Sequence, residues 1–179
     1  MSLAPAQLRV AALEDLGPIQ EVYASAFPAE EREAVSRCAV QLLSESSMPP
    51  TLSLVAEVED VVVGHIAFSP VGLSDGSSGY ILAPLAVSAT FQQQGIGRAL
   101  VESGLRELTE RGACVVCVYG DPEHYGRYGF APETARAYPA PHPLQYPHGW
   151  QALELQERAV PPSPVAVTCV AALDKPELW

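Results

Sequence analysis

The sequence predicts a mixed α/β fold, with a central mixed sheet flanked by helices. Runs rich in β-branched residues alternate along the chain with amphipathic segments of helical period. Two such runs, Thr51–Val58 and Val61–Val71, flank the polar pair Glu59-Asp60 and indicate an antiparallel hairpin. The stretch Leu85–Gly97 starts as a buried strand and ends in a glycine-spaced turn that opens a helix. This order of elements is typical of a protein that mixes helices with a sheet.

The first half of the chain begins with a short strand followed by two helices. Apolar residues from Leu16 to Phe27 recur at helical spacing, and Pro28 ends that helix. Acidic residues in the first turn of the next helix suit the helix dipole. The predicted elements are a strand over Leu8–Leu13, a helix from Asp15 to Pro28 and a helix from about Ala29 to Ser44.

The second half predicts a strand, a helix and a second strand, followed by an irregular region. Pro84 interrupts the first of these strands; because proline has no N–H, we expect a bulge or a splay there. Gly112 is expected at C′ of the helix. The predicted elements are a strand over Tyr80–Val87, a helix from Gly95 to about Arg111 with inward Ile96, Leu100, Leu105 and Leu108, a strand over Ala113–Tyr119, a short helix over Glu123–Tyr128, a proline-rich stretch over Pro132–Gly149, and late strands near Gln151–Gln156 and Val165–Ala172.

Length and composition indicate one globular domain over residues 1–179, with a core over 8–137 and a proline-rich loop with C-terminal strands over 138–179. Hydrophobic residues make up 48% of the sequence and charged residues 17%. There is no basic-then-apolar leader and no apolar run of roughly 20 residues, so we expect a cytoplasmic protein without a membrane span.

The net charge and the cysteines limit which ligands and macromolecules we expect the protein to bind. The formal charge of −11, from 21 acidic and 10 basic residues, disfavours nucleic acid and anionic membranes as partners. It would attract a cationic acceptor, and solubility is the alternative explanation for most of these charges. Cys114 and Cys117 are three apart in a predicted strand and would point to opposite faces, so they cannot share a metal. We therefore expect reduced structural cysteines and no metal site.

The stretch Leu85–Gly97 is the main functional signal. The first amides of a helix lack intrahelical partners and carry partial positive charge, and Gly95 and Gly97 would let a large ligand approach the backbone. This pattern predicts a pyrophosphate cradle, and an ordinary loop with two turn glycines is the alternative. A P-loop lysine is missing, since Lys175 is the sole lysine, and Leu100 stands where a dinucleotide fingerprint needs glycine.

Two motifs resemble those of one enzyme superfamily. Gln92-Gln93-Gln94-Gly95-Ile96-Gly97 resembles the acetyl-CoA signature of the GNAT N-acetyltransferases, Arg/Gln-x-x-Gly-x-Gly/Ala. Tyr125-Gly126-Arg127-Tyr128-Gly129-Phe130 resembles their Tyr-x-x-x-Gly-Phe motif. The wider pattern is similar to the YhbS-like branch, in Leu54–Glu57, Val63–Pro70, Leu82–Val87 and Gly120–Pro122, and is weakest from Pro139 onward.

The resemblance implies the GNAT acyl-CoA N-acyltransferase fold, whose central mixed sheet has two splayed parallel strands, here Tyr80–Val87 and Ala113–Tyr119. It implies acetyl-CoA as the acetyl donor and Tyr125 near the coenzyme A sulfur. The pantetheine arm would bond the strand backbone and the pyrophosphate would lie on the following turn. The implied coenzyme A-binding residues are Leu85, Ala86, Val87, Gln92, Gln93, Gln94, Gly95, Ile96, Gly97, Arg98 and Tyr125.

Acetyl transfer to an amine needs a proton acceptor for the ammonium, a donor for the oxyanion and a proton for the thiolate. The Leu85 N–H is the candidate oxyanion donor, and Tyr125 is the candidate acid. Glu33 is the first candidate base, because the family often carries an acidic residue in its second helix. Glu30, Glu31 and Glu154 are alternatives, and structural roles are expected for His65, His124, His142 and His148.

The sequence therefore predicts an N-acetyltransferase that moves an acetyl group directly from acetyl-CoA to a primary amine. The acceptor would be a small-molecule amine or a peptide amine, and the protein a monomer or homodimer. Two alternatives stay open: a non-catalytic acyl-CoA-binding sensor that keeps the cradle, and a nucleotide-binding enzyme that uses the same turn.

Overall fold

The computed structural model describes residues 5–179, so the first four residues of the predicted domain lie outside the described residues. The elements are β1 (Gln7–Val10), α1 (Leu16–Ala26), α2 (Ala29–Ser44), β2 (Leu52–Val58), β3 (Val61–Leu73), β4 (Gly79–Val87), α3 (Ile96–Glu110), β5 (Val115–Tyr119), α4 (Pro122–Gly126), α5 (Pro132–Ala135), β6 (Trp150–Glu154) and β7 (Val167–Cys169). Short 3-10 turns occupy Leu13–Asp15, Ala89–Phe91, Pro147–Gly149 and Pro176–Leu178.

Within residues 5–179 the strands form one seven-stranded sheet in the order β1-β2-β3-β4-β5-β6, with β7 paired to β3. β4 and β5 are parallel, whereas β5 and β6 are antiparallel. A mixed sheet with helices confirms the predicted fold class. The β4–β5 ladder pairs Gly79–Leu82 with Val115–Val118 and stops before Pro84, where the sequence predicted a splay or bulge.

Several predicted boundaries differ from the structure. β1 ends at Val10, because the chain turns at Leu13–Asp15 and the Asp15 carboxylate accepts the Ala12 N–H at 2.7 Å. β7 is shorter than the predicted strand over Val165–Ala172. The short helix α4 ends at Gly126, and the stretch predicted to be irregular contains α5, with Pro132 in its first turn.

Helix α3 matches its prediction at both ends but not across its whole inner face. Gly112 has φ of +82° and follows the helix, as predicted for C′. The Ala113 N–H reaches the Leu108 carbonyl at 3.0 Å, which closes the helix end. Leu105 is half-buried, whereas Val101 and Gly104 are buried and belong to the inner face. With 3.6 residues per turn, residues three or four apart lie on the same face, which places Val101 and Gly104 beside Leu100 and Leu108.

The described chain divides into two compact units, each made of two segments. The first contains the chain up to Phe68 together with Ala83–Gly104, and the second contains Ser69–Leu82 together with Leu105–Trp179. This division crosses β3, β4 and α3 and does not fall at the predicted change between 137 and 138. Each unit has buried residues of its own.

The first unit is built around a core that α1 and α2 share with the sheet. Its buried members come from α1, α2, β2 and β4 and are Ile19, Val22, Tyr23, Ala39, Val55 and Ala86. The β2–β3 hairpin turns through Glu59 and Asp60, whose φ angles are 52° and 64°. Two successive left-handed residues match the twist of the strands, so this polar pair makes the tight turn the sequence predicted.

A fully buried histidine joins three elements of the first unit. The His65 Nδ1 lies 2.8 Å from the Tyr23 hydroxyl of α1, and its Nε2 lies 2.8 Å from the Ser53 hydroxyl of β2. A neutral imidazole donates through one nitrogen and accepts through the other, so both hydroxyls are satisfied. Burial lowers the pKa of His65 from 6.5 to about 3, against a small opposing effect of Asp15. His65 thus has the structural role that was expected.

The second unit is built around β5 and a cluster of aromatic rings. Trp179 stacks on Tyr119 with ring centroids 6.0 Å apart and meets Trp150 edge-on at 5.6 Å. The Trp150 indole donates to the Tyr138 carbonyl at 2.7 Å, and the Trp179 indole to the Leu173 carbonyl at 3.0 Å. The polar edges of these buried rings are therefore satisfied, as buried indoles require.

The cysteines of the described chain are free thiols. Cys38 and Cys117 are buried, and Cys114 and Cys169 are half-buried. Burial raises the pKa of Cys117 to about 12, so this thiol stays protonated. No group of three or more metal-ligating side chains occurs within residues 5–179. In the same residues, no helix combines the length and the apolar character that crossing a bilayer requires.

The buried His65 predicts a pH dependence of stability. The pKa of His65 is about 3 in the folded chain, whereas its ordinary value is 6.5. Between these two pH values the imidazole is protonated in the unfolded chain and neutral in the folded chain. Stability should fall as pH drops below 6.5, by roughly 1.4 kcal/mol per pH unit once the unfolded imidazole is charged. Urea unfolding of the wild type and of His65→Gln between pH 7 and 4.5 measures how the free energy of unfolding depends on pH.

The His65→Gln variant should lose this slope, because an amide can bond both hydroxyls but does not titrate. The lower limit of the range keeps the comparison above 3.8, the ordinary pKa of Asp15, which the Arg9 guanidinium lowers further. Equal slopes in the two proteins would contradict the role assigned to His65.

Candidate active site

The turn between β4 and α3 has a backbone that suits an anion. After β4 the chain makes the 3-10 turn Ala89–Phe91, then passes through Gln93 at φ +60° and Gly95 at φ +83°. The Ala99 N–H bonds the Gly95 carbonyl at 3.0 Å, so the amides of Ile96 and Gly97 precede the first turn of hydrogen bonds in α3. They lie at the positive end of the helix dipole.

Other parts of the first unit hold this turn in place. The Ser88 N–H donates to the Val63 carbonyl at 2.8 Å, and the Ala89 N–H donates to the Ser25 hydroxyl at 2.9 Å. The Gln92 side-chain amide donates to the Val87 carbonyl at 3.0 Å. The side-chain NH2 of Gln92 thus ties the turn to the end of β4, and the contact of Gln92 with the coenzyme stays a prediction.

The glycines leave space on the turn. A Cβ atom on Gly95 would meet no heavy atom within 4 Å, and one on Gly97 would meet only the Val87 side chain at 3.7 Å. At Gly95 the positive φ favours glycine, whereas at Gly97 the absence of a side chain serves close approach. Gln93 adopts a left-handed conformation without being glycine, a strained state that clusters at functional sites.

The remaining predicted coenzyme A residues flank the turn. Ala86 is buried in the core of the first unit, whereas Leu85 and Val87 are half-buried and alternate with it along β4. Arg98 is exposed and its Nε bonds the Glu102 carboxylate at 2.7 Å. Gln93 and Gln94 are exposed, and the Gln94 amide donates to the Thr90 carbonyl at 3.2 Å.

Tyr125 lies on α4 in the second unit. The Asp121 carboxylate caps this helix by accepting the Glu123 N–H at 2.9 Å. The Tyr125 ring meets Phe130 edge-on at 5.9 Å and fills the space beside Gly120, where a Cβ atom would lie 2.5 Å from the ring. Burial raises the pKa of Tyr125 to about 12, with Tyr128 adding to the effect. The hydroxyl therefore keeps its proton well above neutral pH.

A cavity of about 550 Å³ opens in the second unit at the end of β5. Its lining consists of tyrosines, prolines and glycines together with Asp121, Gln145 and His148. The lining residues are Tyr119, Gly120, Asp121, Pro122, Gln145, Tyr146, Pro147, His148 and Gly149. Sequence reasoning missed this cavity and expected a structural role for His148; the tyrosine and histidine in the proline-rich stretch were the available signal.

The predicted base candidates lie at the surface. Glu33 is exposed on α2 and forms an ion pair with Arg37 one turn later. Glu30 and Glu31 are exposed in the first turn of α2. Glu154 Oε1 accepts a hydrogen bond from the Tyr138 hydroxyl, and the two oxygens are 3.0 Å apart. Glu33 belongs to the first unit, with the turn before α3, and Glu154 to the second, with Tyr125.

Comparison with known proteins decides the family. A model of the Acetyltransferase (GNAT) family matches residues 17–127. The chain belongs to the GNAT family of acetyltransferases. YjhQ of Escherichia coli K12, an uncharacterized N-acetyltransferase, is 37% identical over 139 residues, which are 75% of each chain. YhbS of the same strain, also an uncharacterized N-acetyltransferase, is 44% identical over 82 residues, 45% of this chain and 49% of YhbS.

Solved structures agree with this family. The crystal structure of Escherichia coli YhbS in complex with CoA matches with a TM-score of 0.82 and 27% identity, over 98% of this chain and 94% of that one. A GNAT acetyltransferase from Brucella melitensis in complex with acetyl-CoA matches with a TM-score of 0.73 and 30% identity, over 95% and 99%. These matches confirm the predicted family, the acetyltransferase class and acetyl-CoA as the family's donor.

The open space beside Gly97 predicts a binding defect. Gly97→Val has room for its Cβ but places two methyl groups above the first amides of α3, where a pyrophosphate would approach. Coenzyme A affinity should fall by about tenfold or more, while the fold is kept. Calorimetric titration measures it, with Ala99→Val as control, because Ala99 is exposed on the same helix and its amide is already bonded. Unchanged affinity in a folded Gly97→Val protein would rule out the cradle.

Proposed function

We propose that this protein transfers an acetyl group from acetyl-CoA to a primary amine by direct attack of the amine on the thioester. The observation that carries the proposal is the turn before α3, in which Gln93 and Gly95 are left-handed and the amides of Ile96 and Gly97 begin the helix. Such a turn suits the pyrophosphate of coenzyme A. The half-buried backbone of Leu85 and Val87 leads into it and suits the pantetheine arm.

The reaction moves one acetyl group and needs three proton transfers. The ammonium first loses a proton, and the amine nitrogen then attacks the thioester carbon. The new C–N bond forms while the carbonyl oxygen gains negative charge, for which the Leu85 N–H is our proposed donor. The C–S bond then breaks as the carbonyl re-forms, the departing thiolate takes a proton from Tyr125, and the nitrogen gives up its extra proton, which restores the Tyr125 hydroxyl.

Tyr125 suits the role of acid by its chemistry. The raised pKa, about 12, keeps the proton in place until the thiolate forms. Because a thiolate is a weaker base than a phenolate of that pKa, Tyr125 stabilises the departing thiolate through a hydrogen bond, and complete transfer of its proton is coupled to the return of a proton from the acceptor nitrogen.

The alternative function is a sensor that binds acetyl-CoA without turnover. Incubation of the protein with acetyl-CoA and a panel of amines, with detection of free coenzyme A thiol, separates the two. Amine-dependent thiol release supports the transferase. Tight binding of acetyl-CoA with no release for any amine class supports the sensor.

Replacing the Tyr125 hydroxyl tests the acid. Tyr125→Phe keeps the ring that packs beside Gly120 and Phe130 but removes the donor. The protein should fold and bind acetyl-CoA normally, and its chemical step should slow by roughly 10²–10⁴-fold. Because the pKa is about 12, the advantage of the wild type should persist from pH 7 to pH 10.

Single-turnover kinetics are the proper measurement, since slow product release can hide a slower chemical step. A Phe variant with the wild-type single-turnover rate would remove Tyr125 from the mechanism. An advantage that disappeared by pH 9 would contradict the raised pKa.

The proton acceptor has two candidates, Glu33 on α2 and His148 in the cavity of the second unit. Glu33→Gln should slow transfer by roughly 10²-fold at neutral pH if its carboxylate takes the ammonium proton. The loss should shrink near pH 10, where about a quarter of a primary amine with a pKa near 10.4 is already neutral. Arg37→Gln is the control, because it breaks the same ion pair and keeps the carboxylate.

Single-turnover rates of the three variants Glu33→Gln, Arg37→Gln and His148→Gln distinguish the candidates. Equal effects of Glu33→Gln and Arg37→Gln would mean that the ion pair stabilises α2 and that Glu33 is no base. A loss confined to His148→Gln, with recovery at high pH, would assign the role to the imidazole.

A further inference from the structure

We propose that the cavity at the end of β5 selects an acceptor whose primary amine is carried on a flat aromatic body, an arylalkylamine. This inference rests on the proposed function and names its acceptor class. The ammonium would pair with the Asp121 carboxylate, and the ring would lie against Tyr119 and Tyr146.

The cavity lies beside the proposed acid. Gly120 lines the cavity, and the same residue faces the Tyr125 ring so closely that a Cβ atom would come within 2.5 Å of it. Asp121, the next lining residue, caps the helix that carries Tyr125. Tyr125 does not itself line the cavity, so Gly120 would stand between an acceptor held there and the proposed acid.

The walls are fixed before any ligand binds. The Tyr119 hydroxyl accepts the Tyr146 N–H at 2.8 Å, and the Gly120 N–H donates to the Gly149 carbonyl at 2.9 Å. The buried Gln151 amide donates to the carbonyls of both glycines, at 3.3 Å each. Trp179 backs the Tyr119 ring at 6.0 Å. A cavity held by contacts of this kind pays little ordering entropy on binding.

The size and surface of the cavity suit an aromatic ring. Its volume of about 550 Å³ lies in the range of small-molecule sites, roughly 300–1,000 Å³. Tyr146 is 66% exposed, so an aromatic ligand in the cavity could cover part of its ring. Rings prefer offset or edge-on contact with other rings, and the faces of Pro122 and Pro147 extend the apolar wall.

The charge of the cavity suits one ammonium group. Asp121 is the one acidic residue among the described residues that line it. Its Oδ1 accepts the Glu123 N–H, which leaves Oδ2 for a ligand. A polyamine has two or more ammonium groups, and the described lining of this cavity offers a carboxylate to one of them. The net charge of −11 also attracts a cation from a distance.

Equilibrium binding tests this inference without requiring turnover. Four probes separate charge from ring: 2-phenylethylamine has both, 2-phenylethanol has only the ring, butylamine has only the charge, and spermidine has several charges. Calorimetry with coenzyme A present, at pH 7, should show 2-phenylethylamine binding about tenfold or more tightly than each of the other three.

Two variants assign the contributions to residues. Asp121→Asn can still cap α4 but has no charge, so it should weaken 2-phenylethylamine by about tenfold and leave 2-phenylethanol unchanged. Tyr146→Ala should abolish the preference for 2-phenylethylamine over butylamine. Glu123→Gln and Val160→Ala are the controls for charge and for exposed apolar surface, and neither residue lines the cavity.

Tighter binding of spermidine or butylamine, equal binding in Asp121→Asn, or no binding of any probe would overturn the inference. Thiol release with acetyl-CoA and the same amines separates it from the proposed function. Turnover of spermidine or a lysine peptide without that of 2-phenylethylamine overturns the acceptor class and keeps the transferase. Binding of 2-phenylethylamine with no thiol release for any amine keeps the cavity assignment and overturns the transferase.

Discussion

The backbone between β4 and α3 has to reverse its direction while keeping its first helical amides unpaired, and the first unit is arranged to satisfy that constraint. Left-handed conformations at Gln93 and Gly95 achieve the reversal. Neither conformation would persist without support, since a left-handed glutamine is strained. The support comes from elements distant in sequence, through Ser25 on α1 and the Val63 carbonyl on β3. Packing of α1 into the core and pairing of the hairpin therefore determine the shape of a turn that belongs to neither.

In the second unit, packing of aromatic rings, and not backbone conformation, positions the candidate catalytic residue. Tyr125 is placed by a capped five-residue helix, which is too short to be stable alone. Its ring is held because Gly120 leaves the space and Phe130 meets it edge-on. The same glycine borders the cavity, so the position of the proposed acid and the shape of the proposed acceptor site depend on the same few atoms. Because this arrangement excludes water from the phenol, the pKa of Tyr125 rises.

The features that the sequence predicted correctly are those that depend on residues close together along the chain. The bounds of α2 match because Pro28 precedes the helix and the Ser/Pro-rich segment after Ser44 stops it. The hairpin turn and the C′ glycine of α3 were likewise readable, since both depend on two or three neighbouring residues. The family could be identified because its coenzyme A motif is a continuous stretch, in which spacing alone carries the signal.

What the sequence did not predict depends on contacts between distant residues. The cavity requires the Tyr119 hydroxyl to meet the Tyr146 amide, and no periodic pattern links two residues in a strand and a proline-rich loop. The role of the Gln92 side chain was missed for a similar reason: a motif shows which residues recur but not which atom each one bonds. The His65 network joins residues from α1, β2 and β3, so only the folded chain reveals that both of its nitrogens are occupied.

Gly120 also limits how such an enzyme can be altered. Any larger residue there would collide with the Tyr125 ring before it reached the cavity. Directed evolution toward new acceptors cannot remodel this wall at that position without displacing the phenol. Productive diversity should concentrate on the loop side, at Gln145, Tyr146 and His148, whose side chains line the cavity from outside any helix or strand interior. Libraries built on that loop would vary the proposed acceptor site while leaving the frame around the phenol intact.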